Sequence, residues 1–129
     1  MPKRTSLWID TAGTFATEPL TSDIAPDICV VGAGIAGLTT AYLLAREGHS
    51  VVVIDGGRVG GGQTAMTTAH LSYVIDETFK EMLRLHGPDG SRLACESHRM
   101  AIDRIETICR EEHIDCSFER VDGDRKSVV

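Results

Sequence analysis

Two short apolar runs flank a helical pattern in the first half of the chain. Residues 28–31 and 51–54 are dominated by β-branched side chains, which is typical of strands buried on both faces of a parallel sheet. From Ile35 to Glu47 the apolar positions recur at helical spacing, and Gly48 offers a C-terminal cap. Strand, helix and strand within about 30 residues predict a right-handed βαβ unit.

The second half of the chain has mainly helical periodicity. An amphipathic helix is predicted after residue 74, and it should be broken by residues 86–90, which contain two glycines and a proline. A longer helix is expected at about residues 91–112, followed by a third strand at residues 116–121. The residues expected to face inward are Ile75, Phe79, Met82 and Leu83 in the first helix, and Ala101, Ile105, Ile108 and Cys109 in the second.

Composition and charge exclude several functional classes. The 129 residues are 42% apolar and 25% charged, as expected for one ordinary globular domain. A net charge of −6 argues against a nucleic-acid partner and against a polybasic membrane anchor. No apolar run approaches the ~18–20 residues needed to span a bilayer. The basic N-terminus lacks a following apolar stretch, so no secretory signal is predicted and a cytoplasmic location is expected.

The cysteines do not have metal-ligand spacing. The four cysteines form no CxxC pair, so they are interpreted as reduced thiols, and no metal site is predicted. Cys29 lies within the first apolar run and is interpreted as a small buried hydrophobe.

A GxGxxG motif occupies residues 32–37, directly after the first predicted strand and at the start of the helix. Gly32 permits a tight turn, Gly34 lets the backbone approach a pyrophosphate, and Gly37 lets the helix pack on the strand. The amides of Ile35 and Ala36, together with the positive end of the helix dipole, are expected to bind the pyrophosphate. The motif therefore predicts a dinucleotide-binding turn.

Asp55 provides the second half of the signature. It follows the second predicted strand, 23 residues after Gly32, where a carboxylate can accept hydrogen bonds from the adenosine ribose. Its charge would also repel a 2′-phosphate, which argues against NADP. The alternative interpretation is a turn residue beside Gly56 and Gly57.

The region after Asp55 bears on which dinucleotide is bound. A glycine-rich loop at residues 56–64 is followed by helices rather than by the third parallel strand expected in an NAD domain. This pattern favours FAD, with an NAD-dependent dehydrogenase domain as the alternative.

Three segments, residues 27–45, 50–55 and 61–72, resemble the N-terminal part of the D-amino-acid oxidase/glycine oxidase family of FAD-dependent oxidoreductases. Residues 6–8 and 67–72 further resemble a subgroup that often carries a C-terminal Rieske iron–sulfur domain. The resemblance covers roughly residues 6–121.

The resemblance implies an oxidoreductase that transfers hydride from an amine or amino-acid-like small molecule to FAD. No catalytic residue can be named from the resemblance, which also suggests a Rieske domain in the full-length protein. The cofactor-binding residues that it implies are Ile35 and Ala36 at the pyrophosphate, Asp55 and Gly56 at the ribose, Gln63 and Thr64 at the phosphates, and Thr68, Ala69 and His70 near the ribityl chain or flavin ring.

The predicted fold class is α/β: a Rossmann-like FAD-binding βαβ unit followed by helices, forming an incomplete flavoprotein domain. We expect an N-terminal arm at residues 1–26, the FAD-binding part at residues 27–121 and an atypical tail at residues 122–129. The sequence departs from the family at position 55, where glutamate is common, and in the polar tail, where an apolar strand is expected. A catalytically inactive fragment is therefore a further alternative. Arg58 is interpreted as a solvated surface cation.

Overall fold

The computed structural model describes residues 6–11, 15–74 and 78–122. The chain divides into two compact units, Met1–Ala69 and His70–Val129. The elements of the first unit are α1 (Leu7–Thr11), β1 (Ile28–Val31), α2 (Ile35–Arg46), β2 (Val51–Ile54) and a short 3₁₀ helix (Thr64–Met66), and the second unit contains α3 (Phe79–Glu111).

The βαβ unit predicted from the sequence is confirmed. Strands β1 and β2 pair in parallel, with Ile28 opposite Val51 and Val31 opposite Ile54, and α2 connects them. At the start of the strands, Asp27 and Ser50 exchange two hydrogen bonds of 2.8 and 2.9 Å, each from a backbone amide to the other residue's side chain. These bonds set the register at the end of the sheet that lies away from the glycine motif.

The close packing of α2 on β1 depends on Gly37. A Cβ atom at this position would lie 1.9 Å from the carbonyl oxygen of Gly32 and 3.3 Å from a methyl group of Val30. Ala41, one turn further along α2, is buried. The small side chains thus let the helix approach the strand closely, as the sequence predicted.

Helix α2 ends in a Schellman motif. The amide of Gly48 donates to Ala45 O, the amide of His49 donates to Leu44 O, and Gly48 has a φ of +91°. This left-handed conformation is readily available to glycine, so the predicted C-terminal cap is confirmed.

The prediction that both strands are buried on both faces is wrong. Helix α2 covers the face that contains Val30, whereas Cys29 is exposed and Val31 is 80% exposed on the opposite face. That face borders an open cleft of about 290 Å³. It is lined by strand residues and by part of the N-terminal arm: Leu20, Ser22, Asp23, Ile24, Pro26, Cys29, Val52 and Ile54. Residues 20–26 form neither a helix nor a strand that could cover this face, so Cys29 is not the buried hydrophobe that was expected.

Helix α3 starts at a capping residue and contains one interruption. The hydroxyl of Thr78 accepts a hydrogen bond from the Glu81 amide, which places the first helical residue at Phe79. Gly87 has non-helical angles (φ 66°, ψ 178°), and the helix resumes at Pro88, whose fixed φ suits a first turn. The break expected across residues 86–90 is therefore confined to Gly87.

The predicted inward face of α3 is only partly correct. Met82 is buried, and Ile105, Ile108 and Cys109 are half-buried. Phe79, Leu83 and Ala101 are exposed, and Ile75 lies outside the described residues.

The strand expected at residues 116–121 is absent from the described part of the chain. This segment instead follows α3 as an irregular loop. The guanidinium of Arg120 donates hydrogen bonds of 2.6 Å to carboxylate oxygens of Asp103 and Glu106. β-branched residues are rare in this segment, and side-chain ion pairs rather than a strand ladder hold it to the helix.

Substituting Gly37 with alanine tests the close contact between α2 and the glycine turn. The added Cβ must push the Gly32 carbonyl away, and overpacking of this kind typically costs ~1–3 kcal/mol. We expect urea denaturation to show a loss of stability in that range. Gly56→Ala is the matched control, because a Cβ at Gly56 meets no atom within 4 Å. Equal stability of the two variants would contradict the packing role of Gly37.

Candidate functional site

The glycine turn, the end of β2 and the loop after it meet at the carboxyl ends of the two parallel strands. They enclose a cleft of about 460 Å³ in the first unit. This edge is where ligands bind in open α/β sheets. The residues that line the cleft are Gly34, Asp55, Gly57, Arg58, Gly61, Gly62, Gln63 and Thr64.

Asp55 connects the glycine turn with the loop that follows β2. Its Oδ2 accepts a 2.6 Å hydrogen bond from the Ala33 amide, and its Oδ1 accepts a 2.7 Å hydrogen bond from the Gly57 amide. These two bonds stabilise the ionised carboxyl and lower the pKa of Asp55, mainly through Ala33. Each carboxylate oxygen keeps a further lone pair, so Asp55 can still accept hydrogen bonds from a ligand.

The glycine-rich loop is held against the turn by two more hydrogen bonds. The Gly60 amide donates to the Ala33 carbonyl at 2.8 Å, and the Ile35 amide donates to the Thr64 hydroxyl at 3.0 Å. A Cβ atom on Gly34 would lie 3.3 Å from that same hydroxyl oxygen. A side chain at position 34 would therefore crowd both the cleft and the contact that closes it.

The first turn of α2 presents further donors at the cleft. Gly34 is the N-cap and supplies no side-chain acceptor. Within the described residues, the amides of Gly34, Ala36 and Gly37 have no hydrogen-bond acceptor. Such amides, with the helix dipole behind them, favour an anion. The predicted amide of Ile35, in contrast, is already bonded to Thr64.

The structure brings together most of the residues predicted at the adenosine diphosphate end. Gly32, with a φ of +107°, forms the turn, and its amide donates to Ile54 O at 2.8 Å. Asp55, Gln63 and Thr64 line the cleft, and Gly56 is exposed next to Asp55.

The residues predicted at the flavin end are not among those that line this cleft. Thr68 and Ala69 are exposed and do not line this cleft, and His70 belongs to the second unit. Their proximity to the ribityl chain or flavin ring stays a prediction.

Sequence reasoning missed Arg58 as a residue of the site. It is exposed, but it lies among the lining residues of the cleft, opposite in charge to Asp55. No hydrogen bond or ion pair of its side chain occurs among the described residues. The sequence did contain a feature that pointed to this role for Arg58. Five glycines surround it, at 56, 57 and 60–62, and a loop so rich in glycine can fold closely over a ligand.

A family profile described as FAD-dependent oxidoreductase (DAO) matches residues 27–123. The chain belongs to this family. The match spans the βαβ unit, the cleft and α3, so the resemblance predicted from the sequence is confirmed.

Related proteins of known description agree with this DAO family membership. The Bacillus subtilis protein YhfW, named as a Rieske 2Fe-2S iron–sulfur protein, is 39% identical over 81% of this chain and 20% of its own length. The oxidoreductase OrdL of Haemophilus influenzae is 30% identical over 82% of the chain and 25% of its own length. The gamma-glutamylputrescine oxidoreductase of Escherichia coli is 28% identical over 78% of the chain and 24% of its own length.

The matches show how much of a DAO-family protein this chain covers. It spans about a fifth to a quarter of the length of these relatives. No solved structure shows a significant match. In the part of the chain that the structure describes, no helix is long and apolar enough to cross a membrane. The same residues contain no cluster of three or more His, Cys, Asp or Glu side chains that could hold a metal ion.

The stability contributed by Asp55 should depend on pH. Its folded-state pKa lies below the ordinary value of 3.8, so the ionised carboxyl stabilises the fold above that pH. This contribution is lost as the pH falls through the lower folded-state pKa. In Asp55→Asn an NH₂ group replaces one of the two acceptor oxygens, so we expect a lower urea midpoint at pH 7.

The difference between Asp55→Asn and the wild type should shrink as the pH falls below 3.8, because the wild-type carboxyl then becomes protonated. The exposed Asp115→Asn serves as a control and should have the same urea midpoint as the wild type at pH 7. A constant difference between Asp55→Asn and wild type at every pH would show that the ionised carboxylate is not the source of stability.

Proposed function

We propose that the cleft binds the adenosine diphosphate part of FAD, and that this chain is the nucleotide-binding segment of an amine or amino-acid oxidoreductase. The observation that supports this proposal most directly is the geometry of Asp55. Its carboxylate is bonded to the glycine turn itself, so an acceptor for ribose hydroxyls and donors for phosphates border one cleft.

The ribose would be held by the outer lone pairs of the Asp55 carboxylate. Both oxygens accept backbone amides, which fixes the orientation of the side chain before a ligand arrives. Gly56 follows directly and has open space where a Cβ would be, which leaves room for the sugar. The negative charge would disfavour a 2′-phosphate at this position.

The diphosphate would be held by the first turn of α2 and by the loop. The amides of Gly34, Ala36 and Gly37 are available as donors. Thr64 accepts the Ile35 amide and still has its own O–H to donate to a phosphate oxygen. We therefore assign the Ile35 amide an indirect role. It orients the Thr64 hydroxyl, and that hydroxyl would bind the phosphate. Arg58 and Gln63 would contact the phosphates from the loop side.

The flavin end of the cofactor would extend toward Thr68, Ala69 and His70, as the sequence prediction states. FAD, when bound, supplies the acceptor for hydride from the substrate carbon. The residues of this chain bind and orient the cofactor, and none of them is assigned a proton-transfer role. The domain boundaries at residues 26/27 and 121/122 remain part of this proposal.

The activity of the whole protein is proposed from its relatives. Their names include gamma-glutamylputrescine oxidoreductase and D-amino acid dehydrogenase, which favours an amine or amino-acid substrate. Similarity to YhfW favours a Rieske domain in the full-length protein. We also propose that the protein is located in the cytoplasm.

Binding of FAD by the purified chain tests the proposal. We expect FAD to bind and to raise the thermal unfolding midpoint, whereas NADH should do neither. Gly34→Val should abolish FAD binding, because its side chain enters the space between the turn and Thr64. Ala45→Val, which adds bulk at an exposed position of α2, is the control and should bind like the wild type.

Three outcomes of the FAD titration would contradict the proposal. One is tighter binding of NADH than of FAD, which would favour the dehydrogenase alternative. Another is undiminished FAD binding by a folded Gly34→Val variant. A third is an unchanged dissociation constant in Asp55→Ala, where loss of a charge-assisted hydrogen bond should weaken binding about tenfold or more.

Replacing Arg58 by glutamine tests its role at the diphosphate. We expect the dissociation constant for FAD to rise about tenfold, since a hydrogen bond to a charged group is lost. Binding of adenosine, which has no phosphate, should not change. Arg99→Gln, an exposed arginine of α3, is the control. Equal weakening of FAD and adenosine would place Arg58 away from the phosphates.

A further inference from the structure

Two cysteines meet at the end of α3, in the second unit. Cys109 lies on the last turn of the helix, and Cys116 lies five residues beyond its end. Their sulfur atoms are 3.6 Å apart, and both cysteines are free thiols. Neither Cys29 nor Cys95 has a sulfur neighbour among the described residues. The two thiols lie close together although seven positions separate them in the sequence.

A defined turn brings the two thiols together. The Ile114 amide donates to Cys109 O at 2.8 Å and the His113 amide donates to Arg110 O at 3.3 Å, which are the two bonds of a Schellman motif. His113 adopts the left-handed conformation that this motif requires, with a φ of 54°. The chain therefore reverses immediately after the helix.

A second contact fixes the segment beyond the turn. Arg120 bridges the carboxylates of Asp103 and Glu106, one to two turns before Cys109 on the same helix. Cys116 thus lies between two fixed points, the Schellman turn and the Arg120 bridge. The distance between the thiols is set by the local fold.

The two thiols differ in environment. Cys116 is exposed, whereas Cys109 is half-buried, and burial together with the neighbouring Cys116 thiol raises the pKa of Cys109. The thiolate is the reactive form of cysteine, so oxidation should start at the exposed Cys116. Closing to the S–S bond length of ~2.05 Å needs a movement of roughly 1.5 Å, which the loop residue can make.

We propose that Cys109 and Cys116 form a reversible intramolecular disulfide when the protein meets a hydroperoxide. The Cys116 thiolate attacks a peroxide oxygen, the O–O bond breaks, and the leaving oxygen departs as water or an alcohol, which leaves a sulfenic acid on Cys116. The Cys109 sulfur then attacks that sulfur, the S–O bond breaks, and water leaves with the Cys109 proton. Two thiols are oxidised and one peroxide is reduced, and a dithiol reductant reverses the change.

Peptide mapping of the full chain after hydrogen peroxide treatment tests this proposal. Cleavage after arginine separates the cysteines into peptides 105–110 and 111–120. We expect these peptides to be joined, with a mass two hydrogens below their sum, and the link should disappear with dithiothreitol. The number of free thiols should fall from four to two. The double variant Cys29→Ser/Cys95→Ser should form the same link.

Two controls test whether the link between Cys109 and Cys116 depends on the native fold and on the proposed order of oxidation. The same treatment in concentrated urea should give mixed pairings, because the Schellman turn and the Arg120 bridge are then lost. Cys109→Ser should instead trap a sulfenic acid on Cys116, detectable by dimedone labelling. Identical pairings in native and denatured protein, or sulfenic acid formed first on Cys109, would overturn the proposal. This test follows a disulfide and needs no cofactor, so its failure can be told apart from a failure of FAD binding.

Discussion

The hydrogen bond between the Asp55 carboxylate and the Ala33 amide is the contact on which the cleft depends. It joins the residue that ends β2 to the turn that follows β1, and the second carboxylate oxygen accepts the Gly57 amide. A single charged side chain therefore fixes both backbone segments of the cleft. Because the charge is already compensated by two amides, the carboxyl stays ionised and keeps acceptor capacity for a ligand.

Small residues make this arrangement sterically feasible. Gly37 lets α2 pack against the carbonyl of Gly32, which brings the amides of the first helical turn to the edge of the sheet. The glycine loop then passes close enough for Gly60 to bond to Ala33 and for Thr64 to cap Ile35. The nucleotide-binding proposal thus rests on a backbone surface preorganised by glycines, with few side chains needed to recognise the ligand.

Family membership and local geometry support the same proposal independently. The DAO profile covers residues 27–123, and the cleft lies within that range, between Gly34 and Thr64. The second unit has its own stabilising contacts, in the Thr78 cap and the Arg120 bridge to Asp103 and Glu106. The two neighbouring thiols at the end of α3 also lie in this unit.

The sequence alone determined the βαβ unit, the glycine turn and the position of Asp55 at the strand end, because these depend on local periodicity and on spacing along the chain. It did not reveal the exposure of Cys29, which depends on what covers the second sheet face, nor the irregular conformation of residues 116–121, because a strand forms only beside a partner strand. The Thr64–Ile35 contact, the position of Arg58 at the cleft and the proximity of Cys109 to Cys116 were also decided by tertiary structure. Each depends on how the chain folds back after a helix or a strand, and the periodicity of the sequence does not encode that path.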